Sequence, residues 1–405
     1  MFRYPALVHQ PVSPIYAMLF TMQCARSMYI VLVSWFALQI SGDIASVGKV
    51  LICWQLLAFT VGPFIGPLID RSRRRTMFAT GEMIHGAGIG LLALIVWSCS
   101  PERTPICILY ATACFVSIGS LFSYPSSQAL LQLAGAHFVT RTVSLGIFFS
   151  QVGNIVGAAA GGLCLSLSGL ASSLVVCAAF SFMAAALAGL LIEEDHASPV
   201  QHSPHMQDLM GGLFETVRNP HLRVAGCALL LAYASAHASN ALLAGFARYE
   251  LKLSPGPYGW LAATYSGGGL VGSITLMWLS GLAQERILVA VGTILLAAAT
   301  AALSTSQTTA QAVFWQGLIG LSFMMVRAGS DVTILKTVST RMVGRVRSNI
   351  EAAIGVVAIG VYLLPTLASG VPARHIFLGL ACVFACGSGA ILWMQRSAAM
   401  RRIDR

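Results

Sequence analysis

The sequence predicts an all-α integral membrane protein with twelve transmembrane helices in two six-helix bundles. Three observations predict it. Only 9% of the 405 residues are charged while 57% are hydrophobic, the mean hydropathy is +0.78, and polar residues gather in short clusters between long apolar runs. A soluble chain of this length carries about a quarter charged residues to cover its surface. Spanning ~30 Å of hydrocarbon takes roughly 20 apolar residues as helix, and only helices and closed barrels satisfy their own backbone hydrogen bonds in lipid. Continuous runs, in place of alternating ten-residue segments, exclude a barrel.

Taken in order, Met1–Ser13 has a lone Arg3 and a broken apolar stretch, and the run after it is too long for a signal-peptide core. It reads as an uncleaved first span, 13–40. Spans follow at 47–69, 75–98, 104–124, 141–167 and 170–192. Residues 193–222 are polar and rich in His and Pro, and so extramembranous. Within them Leu209, Leu213, Phe214 and Val217 recur at helical intervals, which predicts a short amphipathic helix on the membrane surface. The second set of spans is 223–246, 257–282, 286–305, 309–332, 346–369 and 374–396. The chain therefore divides into an N-terminal bundle (1–192), a linker (193–222) and a C-terminal bundle (223–405).

Basic residues set the orientation, because cytoplasmic loops carry an excess of Lys and Arg. With both termini and the linker in the cytoplasm, seventeen of the 24 Lys and Arg fall on that side and five (Lys49, Arg103, Arg248, Lys252, Arg374) on the other, leaving Arg26 and Arg327 inside spans. The cell inner membrane is the expected location. The net charge of +10 follows from a basic face against anionic headgroups and requires no nucleic acid. Ten cysteines in or beside spans form no CxxC and read as small packing residues. No HExxH, GxSxG or Walker motif is present, so catalysis, a resident metal and a cofactor are not expected.

The strongest local signal is Gly66-Pro-Leu-Ile-Asp70-Arg71-Ser-Arg73-Arg74-Arg75. Gly66 allows close helix approach, Asp70 can accept hydrogen bonds at a helix N-terminus, and the arginines hold the loop in the cytoplasm. The string resembles the loop between helices 2 and 3 of the major facilitator superfamily, where such a contact latches the outward-facing state; the second Gly of that pattern is Arg73 here. A second resemblance is Gly153-xxx-Gly157-Ala158-xx-Gly161-Gly162, which is similar to the antiporter signature of the same superfamily, with Ala158 in place of its Pro and Ser144 in place of its upstream Gly. The glycines either form a groove for alternating access or serve small-residue packing. The halves echo each other in Thr140-Arg141-Thr-Val-Ser144 and Gly344-Arg345-Val-Arg-Ser348. Tyr258-Gly259-Trp260 with Gly267, Gly268, Gly269 and Gly272 stands where the second span stands in the first half. Ser123-Tyr-Pro125, Arg218-Asn-Pro220 and Gly344-Arg345-Val346 resemble the subgroup that includes enterobactin-type siderophore exporters. Together these imply a major facilitator fold, within which one chain suffices, and secondary transport of a small molecule driven by protons.

Ionisable residues inside spans each cost roughly 2.5–3.5 kcal/mol at a helix centre and usually face a cavity or a partner. Arg26 lies midway along the first span with Gln23 a turn before and Tyr29 a turn after. First helices line the central cavity in the family, and the resemblance implies that Arg26 binds a carboxylate, phosphate, hydroxamate or catecholate oxygen; pairing with Glu82 is the other reading. Glu82 and His85 share a face of the third span and are either a proton relay or a structural pair. Gln151 with Asn154 and His237 with Asn240 are further polar points for a substrate cavity. Gly66, Asp70, Arg71, Arg74, Gly153, Gly157 and Gly161 are the expected gating positions. Three functions stay open: export of a small polar or anionic metabolite or a drug-like compound, import of an organic anion or metal chelate, and a non-transporting membrane sensor or scaffold.

Overall fold

The computed structural model describes residues 13–134, 139–191, 216–278, 284–338 and 342–403, and every regular element among them is helical. The first four helices are α1 (Ser13–Ser41), α2 (Ile44–Arg71), α3 (Arg74–Cys99) and α4 (Ile106–Ala134). The run Val139–Gly189 is two helices, α5 (139–168) and α6 (170–189), broken at Gly169, where φ 78° and ψ 178° suit a residue without a β-carbon. After the linker come α7 (Pro220–Gly245), extended by a π turn at Phe246–Glu250, then α8 (Pro255–Trp278), α9 (Glu285–Ser304), α10 (Thr309–Thr337), α11 (Val343–Leu367) and α12 (Ala373–Ile403). Ten stretches are long and apolar enough to cross a membrane, with the α5–α6 run counted as one. The 24-residue α8, about 36 Å long at 1.5 Å per residue, completes the twelve. Of the amphipathic linker helix, residues 206–215 lie outside the described residues, and 216–218 form a helical turn.

Local signals explain several boundaries. Pro220 opens α7 at a position that needs no N–H donor, and the Asn219 side chain accepts from His221 N at 3.0 Å. Thr308 and Gln311 make a reciprocal capping box at the start of α10, satisfying donors that the helix cannot.

The helices gather into two compact units. Unit 1 comprises Met1–His202 with Leu253–Ala263, and unit 2 comprises Ser203–Lys252 with Thr264–Arg405. The start of α8 thus belongs to unit 1. In unit 1, Ile15, Met18, Leu19 and Met22 of α1 pack on Phe78, Leu131 and Ala184. In unit 2, Val224, Ala228 and Ala232 of α7 pack on Val289, Phe323, Val326 and Ile391, and Leu222, Ala225 and Leu229 pack on Ile334, Val346 and Ile350. Large apolar side chains also point outward: Trp97, Leu167 and Trp393 are 70, 78 and 70% exposed. Water would penalise such a surface, whereas hydrocarbon accommodates it.

Candidate functional site

In unit 1 the site begins where α3 and α4 touch. A β-carbon on Gly81 would lie 2.6 Å from Ser123 N and 2.7 Å from Gly119 O, and one on Gly119 would lie 2.6 Å from His85 N. Backbone contact at this crossing sets Glu82 and His85 beside Ser123. Arg26 enters from α1, its Nη2 3.3 Å from Glu82 Oε1 and donating to Ser123 Oγ at 2.7 Å; its guanidinium lies 5.4 Å from the Tyr124 ring centroid. Arg26 is 8% exposed and Glu82 is 0% exposed.

This pair is neutral but incompletely satisfied. Glu82 Oε2, Arg26 Nε and the Tyr29 hydroxyl are buried without a hydrogen-bond partner. Burying an ion pair costs several kcal/mol per charge unless its remaining donors and acceptors are matched, so the site holds an unused acceptor at Glu82 Oε2, an unused donor at Arg26 Nε and a hydroxyl at Tyr29 that can serve as either. Beside it His85 Nδ1 lies 2.9 Å from Ser181 Oγ on α6, with the Tyr29 ring edge-on at 6.1 Å.

Of the three positions expected together on α1, Arg26 and Tyr29 face the bundle interior, but Gln23 lies on the partly exposed side with Phe20, Ser27 and Ile30. The reason is helical geometry. Three residues turn the helix through about 300°, so each step from 23 to 26 to 29 drifts about 60° around the axis. Gln23 instead packs its Cβ toward Gly153. Asn154 Nδ2 donates to Gln151 Oε1 at 3.3 Å, and Ser27 Oγ donates to the Asn154 carbonyl at 2.8 Å, tying this amide pair to α1.

The glycine stripe of α5 lies against α1. A β-carbon at Gly153 would meet Phe20 O at 2.5 Å, one at Gly157 would collide with the Cys24 carbonyl oxygen, and one at Gly161 would come within 3.3 Å of Met28 O. Gly162 makes its own close contact with Gly259 at the start of α8, within unit 1. Of the loop positions, Arg74 opens α3, and Arg75 Nη1 donates to Leu191 O at 2.6 Å. Gly66, Asp70 and Arg71 are in the last turns of α2, and their side chains lie outside the described residues.

In unit 2, His237 Nδ1 lies 2.7 Å from the Tyr362 hydroxyl, and Asn240 lies one turn along α7 from His237. His237 Nε2 is buried without a partner. The ring stands 6.5 Å from Tyr233 and 5.2 Å from Tyr362, and Tyr233 meets Phe323 edge-on at 5.2 Å, with Tyr265 at 5.9 Å from Phe323. The two polar residues read on α7 therefore belong to an aromatic cluster built from α7, α8, α10 and α11. Farther along α10, Asp331 lies between Arg327 at 3.9 Å and Arg347 at 3.7 Å, and Arg347 reaches Glu351 at 3.7 Å. Glu250 holds Arg374 through its backbone N at 2.9 Å and Nε at 2.5 Å.

Sequence reasoning missed Ser123, Ser181, Tyr233, Tyr265, Phe323 and Tyr362 as site neighbours. Only the spacing Tyr233–His237–Asn240 along one helix face carried a signal for part of the set. Among the described residues, no group of three or more His, Cys, Asp or Glu is placed to hold a metal ion.

The sequence profile described as the Major Facilitator Superfamily matches residues 15–236. A comparison with curated protein sequences finds no match. Among solved structures, a point mutant of the nucleoside transporter NupG superposes with a TM-score of 0.75 at 16% identity, covering 94% of this chain and 99% of that one. NupG itself gives 0.72 at 16% identity, with 95 and 98% covered. An inward-facing, unoccupied bacterial homologue of the human lysosomal transporter Spinster gives 0.65 at 13% identity, with 96 and 95% covered. At these identities the likeness is one of fold.

Proposed function

The chain belongs to the major facilitator superfamily, and from that premise we propose that it is a proton-coupled secondary transporter that exports a small polar metabolite or drug-like compound by alternating access, with siderophores the first cargo to test. The observation that carries this reading is the Arg26–Glu82 pair, 3.3 Å apart and buried in unit 1. A carboxylate with one cationic partner and an oxygen to spare can bind a proton, and doing so frees the guanidinium. Ion pairs inside spans with unused hydrogen-bonding capacity mark proton and substrate pathways. In this reading the inner membrane holds the protein with both termini in the cytoplasm, protons are the coupling ion, and one chain suffices. The α5 glycines in backbone contact with α1 support the antiporter direction.

A second reading is uptake of a ring-bearing solute, of the kind that NupG's name gives for NupG. It is favoured by the unit 2 cluster, which offers Tyr233, Phe323 and Tyr265 faces beside an unpartnered His237 nitrogen. Aromatic faces stack planar heterocycles, and a ring N–H can donate to a carbonyl or ring nitrogen.

The test is transport in proteoliposomes with an imposed pH gradient, using a panel of siderophores and nucleosides. Glu82→Gln keeps a hydrogen bond to Arg26 but cannot take up a proton. It is expected to abolish accumulation against a gradient while exchange of cargo across the membrane continues. Accumulation that stays fully dependent on the pH gradient in this variant removes Glu82 from the coupling step.

A further inference from the structure

We infer that unit 2 contains a second binding site, unrelated to the transport path, that holds a phosphate group at the N-terminal end of α9. A partly open cavity of about 170 Å³ lies there among α7, α9, α10 and α12. At roughly 30 Å³ per water it has room for about six waters, enough for one tetrahedral oxyanion. Its charged lining is Arg286, Lys336 and Glu285, with His221 and Gln395 completing the polar wall. Two cations against one carboxylate leave a net positive charge.

The arrangement of donors favours a phosphate over a planar carboxylate. Arg286 and Lys336 come from different helices, so they approach an anion from different sides and match an anion with several oxygens. Lys336 Nζ is held by Glu285 Oε2 at 3.0 Å, a bond that an arriving anion can share or replace. Gln395 Nε2 donates to the Arg286 backbone carbonyl at 3.3 Å, pinning α12 to the start of α9. Thr333 and Thr337 spend their hydroxyl protons on α10 carbonyls, Gly329 O and Thr333 O, so the donors left are nitrogens. The first turn of α9 has no side-chain cap from Gln284, and the helix dipole adds to the positive potential.

The pocket is remote from the aromatic cluster. His221 and His237 are sixteen residues apart on one helix, about 24 Å at 1.5 Å per residue. A phosphate group can reach it from the headgroup of an anionic phospholipid or from solution as a free phosphate, and the chemistry is shared.

The experiment separates the two sources. The full chain is placed in nanodiscs of phosphatidylcholine, and its thermal unfolding is followed as inorganic phosphate is titrated at constant ionic strength, then repeated with phosphatidylglycerol added to the bilayer. Stabilisation by inorganic phosphate identifies a soluble ligand, and stabilisation by phosphatidylglycerol alone identifies a headgroup. In either case Arg286→Gln and Lys336→Gln are each expected to weaken the half-saturating concentration at least tenfold. Glu285→Gln is expected to strengthen it several-fold, because the competing carboxylate is gone; a purely structural Glu285–Lys336 bridge predicts no such gain. No stabilisation by either ligand overturns the proposal, as does stabilisation that all three variants leave unchanged.

Discussion

Removing one member of the Arg26–Glu82 pair should damage the protein far more than removing both. Arg26→Met leaves the fully buried Glu82 carboxylate with no cation, and Glu82→Leu leaves a guanidinium whose remaining bond is to Ser123 Oγ at 2.7 Å. Stranding one charge of a buried pair costs about 3–5 kcal/mol, whereas replacing both by apolar residues of similar volume is often neutral or stabilising by about 1–4 kcal/mol. Two independent losses would sum to about 6–10 kcal/mol, so a double variant near wild type carries a coupling energy above the usual ~0.5–3 kcal/mol for residues in contact. The assay is thermal unfolding of the four proteins in one detergent at neutral pH. At about 2 °C per kcal/mol for a unit of some 200 residues, each single variant should unfold about 6–10 °C early and the double variant within about 2 °C of wild type. A double variant as unstable as the worse single one would refute the pairing.

Two further outcomes follow from the packing. Gly157→Val places a branched side chain where even a β-carbon collides with the Cys24 carbonyl; α1 and α5 must separate, at a cost of about 3 kcal/mol or more for an overpacked contact. A wild-type yield and melting curve would contradict that contact. Tyr362→Phe removes the partner of His237 Nδ1 and leaves both ring nitrogens unbonded, a loss of about 1–3 kcal/mol. If the aromatic cluster holds cargo, the same variant raises the KM for a heterocyclic substrate, and an unchanged KM assigns the cluster to packing alone.

Helices and their lipid contact were legible because apolar run length is set by bilayer thickness, and the structure places α1 to α12 close to the read spans. The join at Gly169 was legible as a gap between spans 141–167 and 170–192, since a single glycine separates two apolar runs too long to be one crossing. The site was legible only in part. Arg26, Glu82, His85, His237 and Asn240 stood out as polar residues in apolar segments. Their neighbours Ser123, Ser181 and Tyr362 did not, because Ser and Tyr are ordinary residues in spans and their meaning depends on which helices touch. Gly81 and Gly119 decide that contact for α3 and α4, and two glycines 38 positions apart form no motif. Gln23, three residues before Arg26, turns about 60° away from it around α1, a separation that depends on the helix rotation and not on the spacing alone.

If the proposed proton coupling runs through the Arg26–Glu82 pair, the pair also sets the sign of coupling between proton and cargo. With Glu82 ionised the pair is neutral, and with Glu82 protonated it carries a single positive charge. An anion that binds the guanidinium is therefore held more tightly by the protonated protein, and by reciprocity its binding tightens the proton. Mutual strengthening favours carrying both in the same direction, which is symport. A neutral solute that donates a hydroxyl to the free Glu82 oxygen competes with the proton for one oxygen, and competition favours exchange. Cargo charge and direction are thus linked: export by proton exchange calls for a hydroxylated neutral compound, and uptake with protons calls for an anion. Binding measured by calorimetry in two buffers of different ionisation enthalpy reads the proton count directly. An exported cargo whose binding releases protons agrees with this account, an imported anion whose binding takes protons up agrees equally, and an anion whose binding expels a proton would remove Arg26 and Glu82 from the coupling mechanism.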